Sequence, residues 1–297
     1  MRDKEKYAIC FGEILWDIYG ETKTIGGAPF NVCYHLTKNG VKSHIISQVG
    51  QDLHGQLLLD EIKKLGLDTF TCSITQDYPT STVQIYQDQE DVRYEITHQV
   101  AWDFIRKQPE IEPLIDHAEV FIYGSLAARH AQTAETLMHY LQRAKWKIFD
   151  INLREGHYTS TTLLKLLDHC NTLKVNREEL TLLYGFLSNN FDESSDKKIV
   201  NTHDAINKLF ENFPLLHEIL VTLGSDGAEY YSRNKKLSVS GKTIDVIDTV
   251  GCGDAFLAGY ISSKLKEKSI EECLQHAVEL SAFVATHMGA CPSYPEN

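Results

Sequence analysis

The run DTVGCGDAFLAGY, Asp248 to Tyr260, holds the densest chemistry in this 297-residue sequence. Gly251 and Gly253 free the main chain to curl so that successive amides point at one spot, and an apolar helix is predicted to begin directly behind them. Such a bend is an anion hole, reinforced by the positive end of the helix. Asp254 falls in the first turn of that helix, beside the hole. Two roles fit it. It can cap the helix, a position that Asp favours, or it can orient an acceptor hydroxyl and take its proton while a phosphoryl group moves within reach. Taken alone, an Asp in a glycine-rich turn is more often structural than catalytic.

Other segments offer further chemistry. GEILWD, Gly12 to Asp17, ends a predicted strand in Asp17, where a carboxylate could accept hydrogen bonds from sugar hydroxyls. GGAPFNVCYHLTKNG, Gly26 to Gly40, reads as a diglycine turn into a helix, with Pro29 at its first position and Gly40 just past its end. The diglycine lets a ligand approach the backbone, although a tight strand-to-helix turn has the same pattern. No GxxxxGK[ST] loop is present, and Gly251, Gly253 and Phe256 do not complete GxGxxG, so P-loop and dinucleotide-binding readings are weak.

The D-T-x-G-x-G-D run is similar to the C-terminal signature of the PfkB, or ribokinase-like, carbohydrate kinases, and Gly26 to Gly40 resembles that family's first signature. GSLAAR (Gly124 to Arg129) and DINLRE (Asp150 to Glu155) resemble segments of its fructokinase-like members, and the matches run in the family's order over nearly the whole chain. The resemblance implies transfer of the ATP γ-phosphate to a hydroxyl of a small sugar, with Asp254 as base beside the amides of Gly251, Cys252 and Gly253. It implies that Asp17, Gly27 and Asn31 contact the sugar. Arg154 is the cation expected near the phosphates, where a planar guanidinium can bridge oxygens; a surface ion pair with Glu155 fits it as well.

NREE, Asn176 to Glu179, resembles the NxxE motif, which implies that Asn176 and Glu179 hold Mg²⁺ through water; read alone it is a good helix start. TLGSDGA is like an ATP-contacting segment, which points to Thr222, Gly224 and Gly227, whereas a hairpin turn would use the same glycines. The tail GACPSYP is similar to a segment that closes a monovalent-cation site, K⁺ in kind, from Asp248, Val250, Gly289 and Ser293. Fructose is the acceptor the resemblance favours. Ribose, 2-keto-3-deoxygluconate, a nucleoside, or an idle sugar-binding regulator on the same fold are the alternatives.

The elements that must position these residues are legible in outline. Short apolar runs (YAICFGEIL, HIISQVG, EVFIYG, KIFDINL, TLKVN, EILVTLG) alternate with segments of helical period, including Ile270 to Met288. This predicts an α/β fold: one ribokinase-like domain over residues 1–297, with a mostly parallel sheet covered by helices on both faces. TSTVQIYQDQEDVRYEI, residues 80–96, alternates polar and apolar residues and is expected to be an antiparallel hairpin serving as a lid or a dimer surface. The lid is expected over about 16–26 and 80–100, leaning on the second segment because Ile18 to Ile25 is short. A second hairpin is expected in GAEYYSRNKKLSVSGK, and SNNFDESSDKK (188–198) reads as a solvated loop.

Composition excludes several partners. A net charge of −12 argues against a nucleic-acid surface, and no apolar run approaches a membrane span or a secretory leader, so a cytoplasmic protein is expected. The 7 cysteines are scattered and never spaced as CxxC, consistent with reduced thiols. Cys252 stands where the family usually has Ala. At a helix start its thiol is expected to have a lowered pKa and to make activity oxidation-sensitive.

Overall fold

The structure, a computed structural model, describes residues 6–20, 22–88, 91–188 and 201–295. The run 188–198 therefore lies outside the described residues beyond its first position.

Alternation with a period of two sorts the side chains of each strand between two cores. In β1 (Tyr7–Phe11), Ile9 and Phe11 enter one core while Ala8 and Cys10 enter the other. The chain then leaves the sheet at Gly12, whose φ is +144°. It builds β2 (Leu15–Tyr19), β3 (Thr22–Gly26), α1 (Ala28–Lys38), β4 (Lys42–Gly50), α2 (Leu53–Lys64) and β5 (Cys72–Thr75). The expected single strand YAICFGEIL is thus two strands belonging to two sheets. Next come β6 (Thr82–Asp88), β7 (Asp91–Ile96), α3 (Glu112–His117), β8 (Val120–Gly124), α4 (Ala131–Leu141), β9 (Trp146–Asp150), α5 (Ser160–Leu167) and β10 (Thr172–Asn176). The described chain ends with α6 (Arg177–Ser188), α7 (Thr202–Asn212), β11 (Glu218–Thr222), β12 (Gly227–Ser232), β13 (Lys235–Ser240), α8 (Cys252–Leu265) and α9 (Ile270–Ala285).

The main sheet runs β13-β12-β11-β10-β9-β8-β1-β4-β5, parallel from β11 to β5 and closed at one side by the antiparallel β12–β13 hairpin. Helices α4, α5, α6 and α7 pack on the Ile9/Phe11 face, and α1, α2, α8 and α9 on the other. Both faces are covered, as near-continuously apolar strands require. Helix α8 is buried over every residue from Asp254 to Ser263, so it is a core helix with no polar face.

Four strands form a second sheet in the order β3-β2-β6-β7, with β2 parallel to β6 and the other pairs antiparallel. Both expected segments, 16–26 and 80–100, contribute to this sheet, but the expectation that it would lean on the second needs correction. The first segment supplies half of the strands, because β2 and β3 pair antiparallel along their whole length, from Leu15 opposite Gly26 to Tyr19 opposite Thr22.

Candidate active site

The chain turn at the start of α8 positions the first candidates. Gly251 is the residue before the helix and is left-handed, with φ +77°; a Cβ there would lie 2.6 Å from the Ala290 Cβ, so the position excludes any side chain. The first intrahelical bond runs from the Ala255 amide to the Gly251 carbonyl (2.9 Å). The amides of Gly253 and Asp254 consequently have no acceptor within the helix and point out of its positive end.

Asp254 does not cap this helix: no side chain does. Its carboxylate instead accepts a hydrogen bond from Asn31 Nδ2 at 2.8 Å, from helix α1, while Cys291 Sγ donates to Asn31 Oδ1 at 3.4 Å and fixes the amide's orientation. Asp254 is only 8% exposed. Burial lifts its carboxyl to about 7, the nearby Asp150 charge adds to the rise, and Lys174, the Asn31 hydrogen bond and Arg154 oppose it.

Lys174 is a site residue that motif reading missed. It sits in register with Asp150 on the adjacent strand, facing α8, and its Nζ donates to Asp150 Oδ1 at 2.8 Å, both groups buried. A Cβ at Gly253 would lie 3.2 Å from the same Nζ, so the ammonium stands directly behind the bend. Asp150 Oδ2 is buried and has no hydrogen-bond partner. Burial opposes the Lys174 charge, but Asp150, Glu179 and Asp254 more than offset it, and the net shift is upward. The signal was a lysine inside the apolar strand TLKVN, since lysine is rarely buried without a charged partner.

Asn176 and Glu179 lock onto one another. The Asn176 amide donates to Glu179 Oε2 and the Glu179 amide to Asn176 Oδ1, each at 2.8 Å, while Leu153 N–H donates to Glu179 Oε1 at 3.0 Å. The helix-start reading of NREE is therefore realised, yet Glu179 also borders the Lys174–Asp150 pair, and burial raises its carboxyl. Among the described residues no group of three or more His, Cys, Asp or Glu is placed to hold a metal ion. Glu179, already accepting two amides, suits contact through water.

Asp17 lies on β2 against the diglycine: a Cβ at Gly26 would run into its carboxylate. Gly27, at φ +114°, precedes α1 and packs on the Glu13 carbonyl. Burial lifts Asp17 to about 6, against the pull of Arg154. Arg154 itself is exposed and donates to the Leu153 carbonyl (3.1 Å); no described ion pair ties it to Glu155 or any other carboxylate.

On the other side of Gly253 opens a cleft of about 570 Å³. It gathers Thr222, Gly224 and Gly227, and adds residues the sequence did not single out: Val246, Thr249, Val278 and Ala282 among them. Gly224 and Gly227, at φ +61° and +106°, make the turn from β11 into β12, so the hairpin role of these glycines and their place in the cleft coincide.

Asp248 gathers two of its three expected companions. Its Oδ1 accepts from the Val250 amide (3.0 Å) and its Oδ2 from the Gly289 amide (2.9 Å). Ser293 is exposed, and among the described residues no hydrogen bond joins it to them. The Cys252 expectation is reversed. Burial first, then the Asp248 and Asp254 charges, pushes its thiol up to about 11. No helix among the described residues is long and apolar enough to cross a membrane.

The profile of pfkB family carbohydrate kinases matches residues 5–297. Probable fructokinase-7 of Arabidopsis thaliana is 28% identical over 325 residues, covering 99% of this chain and 91% of the relative. Among solved structures, fructokinase from Xylella fastidiosa with bound ATP superposes with a TM-score of 0.83 at 22% identity, covering 97% of this chain and 94% of that one. A double mutant of Vibrio cholerae O395 fructokinase, bound to fructose, ADP and potassium ion, gives a TM-score of 0.83 at 21% identity over 98% of this chain and 96% of the other.

Proposed function

The chain belongs to the pfkB family of carbohydrate kinases, a sugar phosphotransferase in class, and from that premise we propose that it converts fructose to fructose 6-phosphate with ATP as donor. One observation carries the reading: a buried carboxylate, Asp254, that caps nothing and is held by a distant Asn31 beside two unpaired helix-start amides. A merely structural aspartate at this place would be expected to bond to its own helix.

The acceptor lies between Asp17, Asn31 and Asp254, under the small sheet formed by β3, β2, β6 and β7, which serves as a lid. Thr222 to Gly227 and the 570 Å³ cleft hold the nucleotide, whose terminal phosphate reaches the amides of Gly251 to Asp254. Asp254 accepts the hydroxyl proton as the new O–P bond forms; in a loose transition state it need not ionise the free alcohol first. Charge growing on the transferred group meets the helix-start amides and the Lys174 ammonium behind them, and Arg154 closes over it from the exposed side. Glu179 and the unpartnered oxygen of Asp150 would hold Mg²⁺ through water, and the ion would supply neutralisation of phosphate charge. K⁺ beside Asp248, Val250 and Gly289 would stiffen the loop leading into the bend.

The test is ADP release measured with fructose, ribose, 2-keto-3-deoxygluconate and nucleosides, with the product identified by NMR. Fructose is expected to give the highest kcat/KM and a 6-phosphate product. Preference for another acceptor overturns the fructose assignment, and ADP release with none of them overturns the kinase mechanism.

A further inference from the structure

Glu13 is a buried carboxylate that neither the motifs nor the mechanism above uses. It follows Gly12 in the connection from β1 to β2 and is 3% exposed, yet its Oε2 has no hydrogen-bond partner. A polar atom so placed is unfavourable unless something fills its free valence. Its surroundings say where that something comes from. The Glu13 backbone packs on Gly27, so the residue lies against the same diglycine turn that Asp17 touches from β2. Arg154 attracts Glu13, Asp17 and Asp254 alike, and Asp254 repels Glu13, so three carboxylates, two from the stretch that runs into β2 and one from α8, share the field of one guanidinium. The amide of Ala28, at the start of α1, also steadies the Glu13 charge, while burial lifts its carboxyl to about 7. One end of the carboxyl is thus occupied by the helix that carries Asn31, and the other is unsatisfied.

We propose that Glu13 is a specificity-determining residue that accepts a hydrogen bond from a hydroxyl of the acceptor sugar through its unpartnered oxygen. The proposal rests on the acceptor site described above and adds a third carboxylate to it. A carboxylate accepts two or more hydrogen bonds and donates none, so it selects for a hydroxyl and against an analogue lacking one, whose absence leaves the buried oxygen unpaired.

The variant is Glu13→Gln, which keeps shape and one acceptor for the Ala28 amide but turns a donor toward the sugar. Loss of a uniform binding contact is expected to raise the sugar KM by about tenfold or more while kcat and the ATP KM stay within about twofold. Monodeoxy fructoses sharpen the test: the analogue lacking the contacted hydroxyl should bind wild type weakly but lose little further in Glu13→Gln, a non-additive pair. An unchanged sugar KM in the folded variant overturns the proposal, as does an ATP KM that rises in step, which is the signature of a displaced α1. Should Glu13→Gln fold poorly, Glu13→Asp, which keeps the charge and withdraws it by one methylene, must show the same sugar-only loss for the proposal to stand. Wild type run in parallel separates the two readings, because its failure to phosphorylate any sugar sinks the acceptor site itself and not this residue alone.

Discussion

The two sides of Gly253 differ in character. On the side assigned to the acceptor, Glu13, Asp17, Asn31, Asp254 and Arg154 are charged or polar side chains from separate segments, several buried, with shifted carboxyls. On the nucleotide side the walls are glycine turns and apolar groups such as Gly224, Gly227, Val278 and Ala282, with hydroxyls of Thr222 and Thr249, the Lys242 cation and, among the described residues, no carboxylate. The acceptor side concentrates charge in a low-dielectric place, where each group's protonation matters to the reaction. The nucleotide side offers surface against which a base and ribose can lie. Changes on the first should therefore move the sugar KM, kcat or the pH dependence and spare the ATP KM, and changes on the second should move only the ATP KM.

The sharpest way to break this division is Asp254→Asn. The amide retains the acceptor oxygen for Asn31 and removes the base, so kcat is expected to fall by ~10² to 10⁴ with ATP and sugar affinities nearly kept. Calorimetric binding alongside turnover checks both halves, and near-native turnover would remove Asp254 from the chemistry.

The next largest effect is on pH. With the Asp254 carboxyl lifted to about 7, the ionised base is lost as pH falls, and kcat/KM should drop by about tenfold per unit below pH 7. Stability runs the other way. The folded-state value lies above the ordinary 3.8, so the folded protein binds this proton more tightly than the unfolded chain does. The contribution is whole below about 4 and is lost as pH rises through 7. Asp254→Asn should then melt higher than wild type at pH 8 and at nearly the same temperature at pH 4. Equal melting points at pH 8 contradict the burial argument.

The same division explains what could be read from the sequence. Asp254, Asp17 and the glycines announce themselves because a carboxylate or diglycine at a strand end or helix start is unusual in type and place. Both hairpins and the α/β order followed from periodicity, which β12–β13 and α9 display directly. Glu13 and Lys174 were obscured by apolar neighbours, since each lies in a run that reads as strand, and only the register of β9 with β10 reveals that Lys174 meets Asp150. Val246, Val278 and Ala282 carried no signal at all: an apolar residue lining a cleft has the same local pattern as one filling a core. Cys252 failed for a different reason. The helix end and the flanking Asp248 and Asp254 were legible, but the burial that does most to raise the thiol exists only in the folded chain.

The smallest expected effect tests the nucleotide side on its own terms. Val246 is 60% exposed and lines the cleft, so truncating it removes contact with a ligand without opening a hole in the core. Val246→Ala deletes two methyl groups, worth at most ~1.6 kcal/mol at about 0.8 kcal/mol per carbon wholly buried by the ligand. Partial contact brings this to roughly a three- to tenfold rise in the ATP KM, with kcat, the sugar KM and the pH profile unmoved. Because Val246 is uncharged and lies eight residues before Asp254, a fall in kcat of similar size would mean that this wall also positions the transferred phosphate. The acceptor and nucleotide sides would then be one machine, and the division drawn at Gly253 would not hold.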